Sequence, residues 1–147
     1  LRNNSRMRMP ANKRSEAYRD VVYEAGLPAL VREVEFVKSD DEKGKAVAQI
    51  LDENPDIDGI FAGDDTMAAI CLNVMKQRGL SAPDDIKVVG ADGARRTMTF
   101  MPDLTTVRQD IDRIGELAAQ SIIALVNGEA PESNIQLPVE LIEGKTA

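Results

Sequence analysis

The sequence predicts a three-layer, doubly wound α/β domain built on a parallel sheet. Two observations carry that expectation. Helical and strand patterns alternate along the chain, and two apolar strands, IDGIFAGDD and IKVVGADG, each run straight into aspartate. A βαβαβ alternation calls for right-handed crossovers and for strands covered by helices on both faces. Ligands of such sheets bind in the crevice beyond the carboxyl ends of the strands. Asp64, Asp65 and Asp92 stand at those ends.

Residues 12–25 place Ala17, Tyr18, Val21, Val22 and Ala25 along one helical face, and Gly26 followed by Pro28 ends the helix. VREVEFV at 31–37 reads as a strand. Ser39, Asp40 and Asp41 offer caps for a helix carrying Ala46, Val47, Ile50 and Leu51, which Asn54-Pro55 stops. Residues 57–62 form the next strand. A helix beginning near Asp65, with that carboxylate available as its cap, buries Met67, Ala68, Cys71, Val74 and Met75 and closes at Gly79. Residues 80–85 are a loop, and IKVVG at 86–90 suits the middle of a parallel sheet.

The remainder follows a different rhythm. Residues 93–103 read as irregular and LTTV as a short strand. The helix after it sets Ile111, Ile114, Leu117, Ala118, Ile122 and Leu125 on one side and ends at Gly128. Burying each such side chain stabilises by roughly 1.5 to 3 kcal/mol, so this helix is expected to pack on the same lobe or on a second copy. The last strand is IQLPVELI at 135–142, where Pro138 argues for an edge position.

Composition narrows the function classes. A hydrophobic content of 43% with 29% charged residues is that of an ordinary globular chain. The net charge of -7 is uneven: Arg2, Arg6, Arg8, Lys13, Arg14 and Arg19 precede a strongly acidic remainder. The basic start reads as a solvated segment, and the acidic remainder would repel a phosphate backbone. No apolar run approaches the roughly 20 residues of a membrane helix. Cys71 has no second cysteine to pair with and sits at helical spacing among apolar residues, as a buried structural thiol would.

Catalysis finds little support. The chain has no histidine, which excludes Ser-His and Cys-His nucleophiles and histidine-bearing zinc sites. It has no GxxxxGK[ST] loop and no GxGxxG turn. We therefore expect no enzyme, no cofactor and no metal. Strand-end carboxylates can accept hydrogen bonds from sugar hydroxyls, ligate a hard cation, or serve as general acid and base, and spacing leaves all three open.

The runs FAGDDTMAAI, RGLSAPDDIKVVGADG, MPDLTTVRQD and IGELAAQSIIALVNGE, in that order, resemble the C-terminal part of the LacI family of bacterial transcription regulators. NKRSEAYRD resembles the same family's arginine-bearing first helix of this lobe. The resemblance implies a periplasmic-binding-protein-like type I fold. It also implies a small effector, a sugar or sugar-like ligand, held between two lobes of a cytoplasmic homodimer. Operator DNA would be read only by an N-terminal helix-turn-helix that this chain does not include. It places residues 1–103 in the C-terminal lobe. Residues 104–130 become a crossover strand and helix of the N-terminal lobe, and 131–147 the return strand. A periplasmic sugar-binding protein of a transport system is the alternative with the same fold.

By position, the resemblance makes Arg14, Asp64 and Asp92 effector contacts. A guanidinium fork suits paired hydroxyls or a carboxylate, and aspartate accepts from adjacent hydroxyls. Ser39 stands where many sugar-responsive members have a stacking aromatic and is the fourth expected contact. Ala91 replaces the aromatic before Asp92, and Gly93 stands where another acid is frequent. The plainer readings are a surface ion pair for Arg14, a helix cap for Asp64 and a loop cap for Asp92.

Overall fold

The computed structural model describes residues 10–35 and 37–147, so the expectations for Arg2, Arg6 and Arg8 fall outside the described residues. Among the described residues the order is α1 (Pro10–Glu24), α2 (Asp40–Glu53), β1 (Gly59–Phe61), α3 (Asp65–Gln77), β2 (Lys87–Asp92), α4 (Arg95–Phe100), β3 (Thr105–Gln109), α5 (Ile111–Val126) and β4 (Val139–Ile142). The four strands form one sheet in the order β1-β2-β3-β4. β1, β2 and β3 run parallel, and β4 joins the edge antiparallel to β3.

The core lies where α2 and α3 meet the sheet. Val47 and Leu51 of α2 pack with Ala68, Cys71, Val74 and Met75 of α3 and with Val88 and Leu104 beneath them. The spacing of these positions is the helical period that the sequence displays, so burial of this stripe holds the helices in place. α3 closes at Gly79, whose φ of 74° is left-handed, and Leu80 N–H returns to the Met75 carbonyl at 2.9 Å. Ser39 caps α2 reciprocally: its hydroxyl accepts from Glu42 N–H at 3.3 Å while the Glu42 carboxylate accepts from Ser39 N–H at 3.0 Å. The hydrogen bonds from Ser39 hold the Glu42 carboxyl below its ordinary value.

Three expectations are corrected. Residues 31–35 form no strand, and Phe36 lies outside the described residues. The half-buried residues of this stretch are Val31 and Val34, three apart, and a strand whose faces alternate every second residue cannot put both on one side. The stretch expected to be irregular contains α4, a six-residue helix that buries no side chain. Without an apolar stripe, nothing in RRTMTF announces a helix. The final strand is shorter than 135–142 because Pro138 has no N–H to give to the ladder, and pairing begins at Val139.

The apolar face of α5 is left open. Ile111, Ile114, Ile122 and Leu125 stay 45–62% exposed, and no residue of the helix is buried, so of the two expected packings the one on this lobe is not formed. Only Leu117, Ser121 and Ala124 are half-buried. β3, from which α5 departs, is an inner strand of the sheet.

Candidate functional site

Three parallel strands deliver their carboxyl ends to one place. Gly63 follows β1, Asp92 ends β2 and Gln109 ends β3. Arg14, half-buried on α1, spans the first two: Nη2 donates to Asp92 Oδ1 at 2.8 Å, and Nη1 donates to the Gly63 carbonyl. Gln109 Nε2 donates to the same Asp92 oxygen at 2.6 Å. Arg14 and Asp92 are thus brought together, and Gln109, absent from the sequence expectation as a contact, completes the group. Its signal was available in the LTTVRQD run.

Asp92 is held in an unusual backbone state. Its φ is 105°, and Gly93 follows at 58°. Such a conformation at a residue with a Cβ costs on the order of 1 to 3 kcal/mol and persists only where surroundings impose it. Gly93 cannot be replaced freely, since a Cβ there would lie 2.7 Å from the Arg108 Cα and 2.6 Å from its Cβ. β2 therefore turns left-handed against β3 just where its carboxylate is presented.

Each of the two adjacent aspartates was a candidate cap for α3, and they divide their labour. Asp64, not Asp65, is the cap of α3, accepting from Met67 N–H at 2.8 Å. Asp65 is 3% exposed and reaches across the sheet, accepting from Gly93 N–H at 2.9 Å and from the Thr106 hydroxyl at 2.5 Å. Its helix-end position supplies further favourable field to a buried carboxylate. Asp64 is half-buried beside the cluster in sequence, but no hydrogen bond joins it to Arg14 or Asp92. Ser39 is exposed at the start of α2 and engaged with Glu42, with no hydrogen bond to the Arg14 group.

Chemically the group presents a guanidinium, a carboxylate, a carboxamide and a backbone carbonyl within one half-buried patch. Adjacent donors and acceptors of this kind match neighbouring hydroxyls on a small polar ligand. A separate groove of about 520 Å³ runs between α2 and α3, lined by Gly44, Ala48, Ala69, Asn73 and Arg78, and includes none of these groups. Among the described residues no helix is long and apolar enough to cross a membrane.

The sequence matches the periplasmic binding protein-like domain over residues 2–147. It is 31% identical over 138 residues to the ribose operon repressor of Halalkalibacterium halodurans, covering 93% of this chain. The chain spans 41% of that repressor's own length. Among solved structures it is similar to a transcriptional regulator CelR–cellobiose complex, with a TM-score of 0.78 at 26% identity over 92% of this chain and 42% of the other. A dimeric Lac repressor with a C-terminal deletion superposes with a TM-score of 0.80 at 26% identity, covering 92% of this chain and 49% of that one. With its fold and its strand-end cluster, the chain belongs to the periplasmic binding protein-like domain family, in the form found in LacI-family regulators.

Proposed function

We propose that these residues form one wall of an effector cleft in a transcription regulator, usually a repressor, and that the effector is a sugar or a sugar-like ligand. The observation that carries this reading is the convergence of Arg14, Asp92 and Gln109 at the carboxyl ends of three parallel strands. The similarity to a cellobiose-bound regulator supports it. Asp92 and Arg14 hold neighbouring hydroxyls, Asp64 lies beside them at the start of α3, and Ser39 is a fourth contact at the start of α2.

In the whole regulator the opposite wall is a second lobe, to which α5 belongs, and the exposed apolar residues of α5 are buried within it. Effector binding closes the two lobes and biases the arrangement of a homodimer, which changes how DNA-reading domains are spaced. DNA is met by those domains, since a net charge of -7 makes this part a poor phosphate binder. A regulator of this kind works in the cytoplasm.

The test is calorimetry of the complete gene product against a panel of mono- and disaccharides. Arg14→Ala and Asp92→Ala should each weaken the bound sugar at least tenfold while leaving the fold intact by circular dichroism. Unchanged affinity in both variants would reject the site.

A further inference from the structure

Asp65 is the buried carboxylate that the proposed ligand contacts leave unused. It is 3% exposed, sits at the first position of α3 and bonds to groups of two adjacent strands, Gly93 N–H just after β2 and the Thr106 hydroxyl within β3. Thr106 is fully buried and pairs in register with Gly90. Gly90 makes the reach possible, because a Cβ there would lie 2.5 Å from Asp65 Oδ1 and 3.3 Å from Thr106 Oγ1. The sheet has in effect left out one side chain so that a carboxylate from the neighbouring helix can cross β2 and fasten β3.

The consequence falls on Asp92. The peptide joining Asp92 to Gly93 carries the N–H that Asp65 holds, so Asp65 fixes the plane of that peptide. With φ at 105° on one side and 58° on the other, that plane sets the direction in which the Asp92 side chain leaves the backbone. By tying Thr106 as well, Asp65 sets β3 against β2 and so places Gln109, three residues further along, within hydrogen-bond reach of Asp92.

We propose that Asp65 is a positioning residue for effector binding. It touches no ligand, and it sets affinity by holding Asp92 and Gln109 in the geometry that meets Arg14. This rests on the reading of the Arg14–Asp92 cluster as the effector site.

The experiment compares Asp65→Ala, Asp65→Asn and Asp92→Ala singly, and Asp65→Ala with Asp92→Ala together. It uses the complete gene product with the tightest sugar of the panel, and affinity is read on folded protein. Asp65→Asn keeps an oxygen for Gly93 N–H, and its amide can donate to the Thr106 oxygen, so affinity should stay within about threefold of wild type. Asp65→Ala should lose tenfold or more, and in the Asp92→Ala background it should lose almost nothing further, because residues acting through one another are not additive. Should Asp65→Ala fail to fold, Thr106→Val removes one of the two bonds and should still cost several-fold in affinity. Equal affinity of the folded alanine or valine variant with wild type, or losses that simply add, would overturn the proposal. If Asp92→Ala itself binds as wild type, Asp65 has no contact to position and this proposal falls; if Arg14→Ala does so too, the site reading fails with it. If Asp92→Ala loses binding while Asp65→Ala keeps it, only the role of Asp65 fails.

Discussion

The Thr146 hydroxyl donates to the Val88 carbonyl at 2.7 Å, fastening the last residues of the chain to the middle of β2. The same oxygen accepts from Thr105 N–H at 2.9 Å, and Val88 N–H donates to the Thr146 carbonyl at 2.6 Å. One hydroxyl thus satisfies polar groups of two adjacent strands at a buried position. Removing it leaves a buried carbonyl and a buried N–H without partners, which costs about 1 to 3 kcal/mol for each group. Thr146→Val keeps the shape and should lower stability by about 2 to 4 kcal/mol in denaturant titration, while Thr146→Ser should recover most of it. A valine variant as stable as wild type would show that this strap carries no weight.

Gly90 has no room for a side chain. An added methyl would meet Asp65 Oδ1 at 2.5 Å and Leu104 Cδ2 at 3.2 Å. The carboxylate cannot yield easily, since Gly93 N–H and the Thr106 hydroxyl hold it from two sides. Overpacking of this sort costs about 1 to 3 kcal/mol, so Gly90→Ala should lower the melting temperature by several degrees. In an Asp65→Ala background the same change should cost clearly less, because the obstructing oxygen is gone. Equal costs in both backgrounds would mean that the strain lies with Leu104.

These two relationships also show where sequence reading stops. The α2 and α3 stripes, the strand-end aspartates and the edge position of β4 are written in local patterns: helical periodicity, short apolar runs and a proline. Arg14 and Asp92 were identified by resemblance, and the structure joins them at 2.8 Å. The roles of Asp64 and Asp65 were not separable, since two adjacent carboxylates before a helix look alike. What separates them is Gly90 lying opposite Thr106, a relationship between strands that no local window contains. The segment 31–35 misled for a related reason: its valines and charges resemble a strand, yet its half-buried positions fall three apart.

Ser39 offers a way to separate a structural role from a binding one. As the cap of α2 it satisfies Glu42 N–H, and replacing such a cap with alanine costs about 0.5 to 2 kcal/mol. Ser39→Ala should therefore lower stability by about 1 kcal/mol, and Ser39→Asn, an equally good cap, should restore it. If Ser39 is also an effector contact, both variants should bind sugar more weakly, including the asparagine variant whose stability is normal. Wild-type affinity in Ser39→Asn would confine the residue to capping.

Cys71 gives the fold a dependence on alkaline pH. The thiol is buried in the core between α2, α3 and the sheet, and burial pushes it from its ordinary value of 9.0 up to about 11. Between those values the unfolded chain releases the thiol proton and the native state keeps it. The native state is therefore favoured by the full amount below pH 9.0 and loses that advantage as pH rises towards 11. A shift of this size corresponds to roughly 2 kcal/mol of stability lost between about pH 8 and pH 11. Cys71→Ala, though less stable at neutral pH because of the cavity, should lack this component. Guanidinium unfolding at stepped pH under reducing conditions should show the two proteins converging as pH rises. Parallel curves would mean that the thiol ionises as readily in the folded core as in water. Alkylation by iodoacetamide at pH 8 provides an independent check, and it should proceed only at the rate at which the core opens.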